Sequence, residues 1–337
     1  MTRVTASSGP RRAWGILLLA SVLASPAVAG GQVKSIRIGT TGPGHLKFLV
    51  NQARHTWDRE FARDGIKVEY FPFAGGGAEA ATALASGALD IAYTASDPAL
   101  RIAAAGADVK FVALSGSGRA GSSSIIVLAG SSIKSLKDLK GKKVGYPAGT
   151  VRHASLAKAL QSAGLGLGDI QSLNLAFRVS GPALLRGDID AIVEGETTVA
   201  TLLEKGAVRV VLDGRAHPEW ATPSVISVNG AFARNHPDLV RRVLKIDLDC
   251  SAWADAHFDE AIQIQSAALG APVRLLLRNY PERRFYGEPR ITPESVKALQ
   301  SEEQFMKKIG LGGGSIDYSS WVDRRYIDAV YAEAARK

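Results

Sequence analysis

The segment "ALASGALDIAYTASDPALRIAAAGADVKFVAL", Ala83 to Leu114, reads helix, strand, helix, strand with almost no chain between the elements. A strand that returns through a helix pairs in parallel with its neighbour, and the helices cover the sheet on both faces. The pattern extends upstream. Ile36 to Thr40 is a strand broken by Gly42-Pro43-Gly44, and His45 to Ala62 has the periodicity of an amphipathic helix. Val68 to Phe73 is a second strand, followed by Gly75-Gly76-Gly77 and a helix over Ala78 to Ser86. Leu89 to Tyr93 and Val109 to Leu114 are the third and fourth strands, with a helix over Asp97 to Ala105 between them.

After a strand at Ser122 to Leu128 the pattern restarts with "SIKSLKDLKGKKVGYPAGT". Val144 to Tyr146, Leu173 to Phe177, Ile189 to Val193 and Val208 to Leu212 read as strands. Val151 to Ala163, Pro182 to Arg186 and Thr197 to Lys205 read as the intervening helices. The chain is therefore expected to form two α/β lobes: residues 30–128 begin lobe one, residues 129–221 make lobe two, and residues 222–337 return. Ser224 to Val228, "SVISV", carries the chain back, and after Pro237 the sequence is mostly helical. Two lobes crossed twice by the chain leave a cleft, a preferred place for a small ligand. Helix N-termini facing it carry unpaired N–H groups and partial positive charge, which suits an anion.

Residues 1–29 follow a different logic. Arg3, Arg11 and Arg12 give a positive start, "WGILLLASV" is an apolar run too short to span a bilayer, and "SPAVAG" carries small residues at Ala27 and Ala29. This three-part pattern is that of a signal peptide, with the mature chain starting near Gly30. The export route, Sec or twin-arginine, stays open. No other run reaches about 18 apolar residues, so the mature chain is expected to be soluble in a bacterial periplasm. The single cysteine, Cys250, excludes an internal disulfide and a cysteine-based zinc cluster, and it lies far from any lipid-anchor position. The formal charge is +9, and +6 without the three arginines of the leader. The basic residues are dispersed apart from a cluster at Lys134 to Lys143, which reads as a solvated turn, so a nucleic-acid partner is not expected. The histidines are isolated, and neither a metal site nor a cofactor is expected.

The candidate ligand residues sit where strands end and helices begin. Thr40, Thr41 and Gly42 end the first strand, and His45 opens the helix after it. Ser96 and Asp97 hold the matching place after the third strand, where Asp97 before Pro98 has the sequence of an N-cap with proline at N1. In lobe two, Gly149-Thr150 precedes a helix that Thr150 can cap. Arg152 opposes that helix's dipole, which a bidentate bond to an oxyanion would offset; a solvated surface arginine is the alternative. His153 reads as a packed or capping residue. Glu194 and Glu196 flank Gly195, and strand alternation would place both on one side, where they pair with Arg152, bind an amine or cap the next helix. Gly116-Ser117-Gly118-Arg119-Ala120-Gly121 matches G-x-G-x-x-G but leads into a strand, so it is read as a loop.

The stretches "VEYFPFAGGGAEAATALASGALDIAYTASDPALRIAAAGADVKFVAL" and "SIKSLKDLKGKKVGYPAGTVRHASLAKALQSAGLGLGDI" resemble the two lobes of periplasmic substrate-binding proteins for aliphatic sulfonates, taurine and nitrate. "GDIDAIVEGE" and the tail "ITPESVKALQSEEQFMKKIGL" are similar to the same family. The resemblance implies the two-lobed, type II periplasmic-binding-protein fold, with parallel-rich sheets and a ligand cleft between the lobes. It also raises His153 as a ligand contact. Two positions depart from the pattern. Gly195-Glu196-Thr197 stands where a Trp-Asp-Pro is usual, and Arg152 stands where a small apolar residue is common.

The resemblance implies a monomeric binding protein that closes on a small organic anion and hands it to an ABC transporter permease, itself performing no chemistry. Whether the ligand is a sulfonate, a carboxylate, nitrate or an amine stays open. Two other readings share the fold: an enzyme acting on a sulfinate through a cysteine, and a TRAP-type or sensor receptor. Cys250, in "LVRRVLKIDLDCSAWADAH", reads as a buried structural residue, which weakens the first of these.

Overall fold

The computed structural model describes residues 33–41, 46–116, 123–221, 223–280, 282–285 and 287–336. Among the described residues, ten strands form two five-stranded sheets. The first half of the chain supplies β1 (Ser35–Thr41), β2 (Lys67–Phe73), β3 (Ile91–Ala95), β4 (Val109–Gly116) and β5 (Ser123–Leu128). The second supplies β6 (Lys143–Tyr146), β7 (Gln171–Asn174), β8 (Ala191–Gly195), β9 (Val208–Leu212) and β10 (Ser224–Asn229). The sheet orders are β2-β1-β3-β10-β4 and β7-β6-β8-β5-β9. In each sheet the fourth strand, β10 or β5, runs antiparallel to both neighbours, while the strands beside β1 and β6 pair in parallel. The two sheets are thus built on one plan, and each receives its antiparallel strand from a chain crossing.

The helices of the α/β blocks are α1 (Leu46–Arg54), α2 (Thr56–Ala62), α3 (Gly77–Ala85), α4 (Ser96–Ala104), α5 (Val151–Ser162), α6 (Phe177–Arg186) and α7 (Glu196–Glu204). Beyond β10 come α8 (Gly230–Asn235), α9 (Pro237–Ala256), α10 (Phe258–Leu269), α11 (Val273–Leu276), α12 (Pro293–Lys308), α13 (Tyr318–Trp321) and α14 (Arg325–Ala334). Among the described residues no helix is long and apolar enough to cross a membrane.

Alternate residues of the central strands enter opposite cores, as the period of two requires. Ile91 and Tyr93 pack with Ile36, Ile38 and Trp57 on one face, and Ala92 packs with Leu84, Leu100 and Phe111 on the other. In the second sheet Ile125 and Val127 join the core of Leu156 and Leu160, while Ile126 joins that of Leu184 and Val199. A separate helical core ties α9 and α10 to α1 through Val50, Cys250, Phe258 and Ile262. Burying such side chains stabilises the fold by roughly 1.5–3 kcal/mol each, so both sheets are covered on both sides.

Four readings of the sequence change. The helix expected over residues 45–62 is two helices, because His55 takes the left-handed conformation (φ 50°) between α1 and α2. The strand expected at residues 173–177 ends at Asn174, whose side-chain oxygen accepts the Ala148 N–H at 2.9 Å, and α6 begins at Phe177 with Pro182 inside it. The strand assigned to lobe one by the boundary at residue 128 hydrogen-bonds to β8 and β9 instead, so β5 lies in the second sheet. Its apolar run fits either sheet, and only the pairing decides. Finally, α4 starts at Ser96 with Ala95 as its cap, so Asp97 lies inside the first turn rather than capping it.

The expected leader and the residues of the G-x-G-x-x-G string after Gly116 lie outside the described residues. The lysine cluster at residues 134–143 folds as a short 3-10 turn closed by a reciprocal capping box between Ser135 and Asp138.

Candidate ligand-binding site

The C-terminal ends of β1 and β3 and the first turns of α3 and α4 converge. A β-carbon built on Gly77 would lie 2.7 Å from Pro98 Cγ and 3.1 Å from Thr41 Cγ2, so this approach needs a glycine. Thr40 and Ser96 are buried beside this point, and neither hydroxyl has a hydrogen-bond partner among the described residues. Gly42 and His45 lie outside the described residues.

The opposing wall comes from the β6–α5 turn, α6 and the end of β8. Thr150 caps α5: its Oγ1 accepts the Arg152 N–H at 3.3 Å and donates to the Pro147 carbonyl at 2.8 Å. His153 Nδ1 accepts the Gly149 N–H at 3.2 Å, and its ring lies 4.8 Å from that of Tyr146. Burial, and then the charge of Arg101, lower the imidazole to about 4, so His153 is a neutral acceptor at pH 7.

Arg152 is already engaged within its own lobe. Its Nη1 lies 2.9 Å from Glu194 Oε2, and its guanidinium stacks 4.1 Å from the centre of the Phe177 ring. Glu194 is 1% exposed and also accepts from Ser180 Oγ at 2.5 Å. Burial pulls the Arg152 pKa down while the Glu194 charge opposes it. Glu196 goes elsewhere, because β8 ends at Gly195 and alternation ends with it. Its carboxylate lies 3.3 Å from both Arg215 and Arg278, and burial raises its pKa against those charges.

The two walls touch. A β-carbon on Gly76 would lie 2.5 Å from the Phe177 ring, and one on Gly149 would lie 2.0 Å from Arg101 Nη1. Asp97, in the first turn of α4, is buried. Burial first, and then the charge of Glu302 on α12 and a hydrogen bond with it, raise its carboxyl to about 8, while Lys158 on α5 opposes the rise.

Among the expected site residues, then, Thr41 meets the α3 and α4 turns, Gly149 meets Arg101, and Arg152 meets Glu194. Arg101, Phe177, Ser180, Lys158 and Glu302 were missed. Arg101 was within reach of sequence reasoning, since it lies one helical turn beyond Asp97. Phe177 was hidden by its reading as the end of a strand. Among the described residues, no group of three or more histidine, cysteine, aspartate or glutamate side chains is placed to hold a metal ion.

The family model described as NMT1/THI5 like matches residues 58–261. A Bacillus subtilis (strain 168) protein named "Putative aliphatic sulfonates-binding protein" is 27% identical over 327 residues, covering 95% of this chain and 97% of its own. The "Taurine-binding periplasmic protein" of Escherichia coli (strain K12) is 28% identical over 287 residues, covering 80% and 87%. Among solved structures, the alkanesulfonate-binding protein SsuA from Xanthomonas axonopodis pv. citri, bound to MOPS, matches with a TM-score of 0.77 at 20% identity, over 87% of this chain and 99% of that one. The desulfurization enzyme DSZB matches with a TM-score of 0.65 at 16% identity, over 89% and 99%. Both structural likenesses are likenesses of fold.

Proposed function

Because the chain belongs to the NMT1/THI5-like family, we propose that it is a periplasmic solute-binding protein that delivers a small organic anion, of the aliphatic sulfonate or taurine class, to an ABC importer. The relatives' names support the class of ligand. The observation that carries the reading is the meeting of the two walls at Gly76 with Phe177 and at Gly149 with Arg101. A ligand held there touches both lobes and favours the closed arrangement by its differential affinity for it.

In this reading Thr40, Thr41 and Ser96 supply hydroxyl donors from one lobe. Gly149, Thr150 and Arg152 hold the anion from the other, at the N-terminus of α5. His153 keeps the Gly149–Thr150 turn in shape, and Glu194 holds Arg152 in place. Asp97 and Glu196 set their own turns. The leader over residues 1–29 directs export, the mature chain acts as a monomer, and the chemistry of ATP belongs to the transporter.

Cys250 weighs against a cysteine-based reaction on this fold. It is buried in the helical core, and burial, with the nearby Asp247 charge, pushes its thiol up to about 12. A nucleophilic thiol needs the opposite shift.

A thermal-shift screen of the mature protein against sulfonates, carboxylates, nitrate and amines tests the proposal. A sulfonate at a hundredfold excess over its Kd stabilises the fold by about 2.7 kcal/mol. A response to cationic amines alone would overturn the anion assignment.

A further inference from the structure

Away from the cleft's hydroxyls, Lys158 also crosses from lobe to lobe, as Arg101 does at the Gly149 turn. Lys158 extends from α5, against the second sheet, to α12, which packs on α4 beside the first. Its Nζ lies 2.7 Å from Glu302 Oε2 and 5.0 Å from the centre of the Phe305 ring, both on α12. The Trp220 carbonyl, 3.4 Å away, accepts from it on its own side. The ammonium is almost buried, and Glu302 is 5% exposed. Behind Glu302 sits the buried Asp97, whose carboxyl the Glu302 charge raises. One ammonium therefore faces two carboxyl groups, and the cluster is neutral when the carboxyls share one proton.

We infer that Lys158, captured by Glu302 and Asp97, is a latch that holds the two lobes together and takes up one proton as it shuts. The inference rests on the proposal that the lobes move, but it needs no ligand. Opening withdraws Lys158 from α12 and lets water reach the carboxyl pair, so the pair no longer has to share a proton.

The charges around Asp97 leave few alternatives. α4 packs on α3, α5, α12, β3 and β10. Strands β3 and β10 carry no ionisable side chain except Tyr93 on β3, which lies in the opposite core. Glu79 of α3 accepts from its own Gly75 N–H at 2.9 Å. On α5, Arg152 is held by Glu194 and His153 by the Gly149 N–H. On α12, Glu303 pairs with Lys307, and Glu294, Lys297 and Lys308 are exposed. On α4 itself, Arg101 reaches the Gly149 turn. That leaves Glu302 and Lys158 facing Asp97.

The sign follows from linkage. A carboxyl whose pKa is higher in the closed state favours closure fully below its open-state pKa and loses that effect as pH rises through its closed-state value, about 8. Between pH 7 and pH 9 the closing equilibrium of the ligand-free protein should fall about tenfold.

The test places spin labels at exposed Arg63 in the first lobe and exposed Lys137 in the second, and measures the distance distribution without ligand from pH 6 to pH 9. The wild type should lose closed population above pH 8. Asp97→Asn, which can still donate to Glu302, should stay closed across the range. Lys158→Met, which keeps the stem against Phe305, should open at pH 7. If neither variant nor pH moves the distribution while a bound ligand does, the latch is wrong and hinge closure stands. If nothing moves the labels, ligand included, both fall.

Discussion

Arg101 and Gly149 share one small space from opposite lobes: the guanidinium lies where a β-carbon on Gly149 would be, 2.0 Å from that position. Gly149 also has φ +71°, a conformation that side chains other than glycine resist. Gly149→Ala should therefore cost about 1–2 kcal/mol for the backbone alone, read as a lower urea midpoint at unchanged m. Combining it with Arg101→Ala separates the two causes. A coupling energy of at least about 0.5 kcal/mol is expected from the contact, and strictly additive effects would mean that the lobes do not meet here.

Arg152 is predicted to matter for folding as well as for affinity. Arg152→Met leaves Glu194 charged, buried and without its cation, a defect worth about 3–5 kcal/mol. Arg152→Met with Glu194→Gln should recover most of the stability and none of the anion affinity. Chemical denaturation alongside calorimetric titration checks both halves. Full affinity in the double variant would remove Arg152 from the ligand's shell.

His153 should titrate near 4 by NMR and be neutral at pH 7, with Nδ1 accepting from Gly149. Its folded value lies below the ordinary value of about 6.5, so the unfolded chain binds more protons between the two. Stability should then fall on acidification through that window, by no more than about 1 kcal/mol per pH unit once solvent screening is allowed for. His153→Gln should flatten that slope, and an unchanged slope would assign it to other groups.

Cys250 should resist thiol reagents in the native protein and react only on unfolding, since the thiol is buried and held protonated. Cys250→Ala should keep ligand binding. A turnover of sulfinates lost with that substitution would instead favour an enzyme.

Much of this architecture is legible from local pattern. "IAYTA" and "AIVEG" are buried almost throughout because each lies between two other strands, and that burial is written in the apolar stretches "IAY" and "AIV" that open them. Thr150 was legible as a cap because capping is decided within a few residues. By contrast, "SSIIVL" looks the same whichever sheet it joins, and its place in the second sheet is a matter of long-range hydrogen bonds. Glu194 and Glu196 look equivalent in sequence, yet one is neutralised by Arg152 and the other by Arg215 and Arg278.

The order of strands and helices, the doubling of the α/β block and the Thr150-capped start of α5 were determined by the sequence itself, because periodicity and turn chemistry act over short range. What Asp97 does was decided only by the tertiary structure. From sequence it is a helix cap beside a proline. In the fold it is a buried acid paired with Glu302, more than two hundred residues away, and facing Lys158 from the other lobe. Burial and through-space charge set a carboxyl's state, and neither is encoded in its neighbours along the chain.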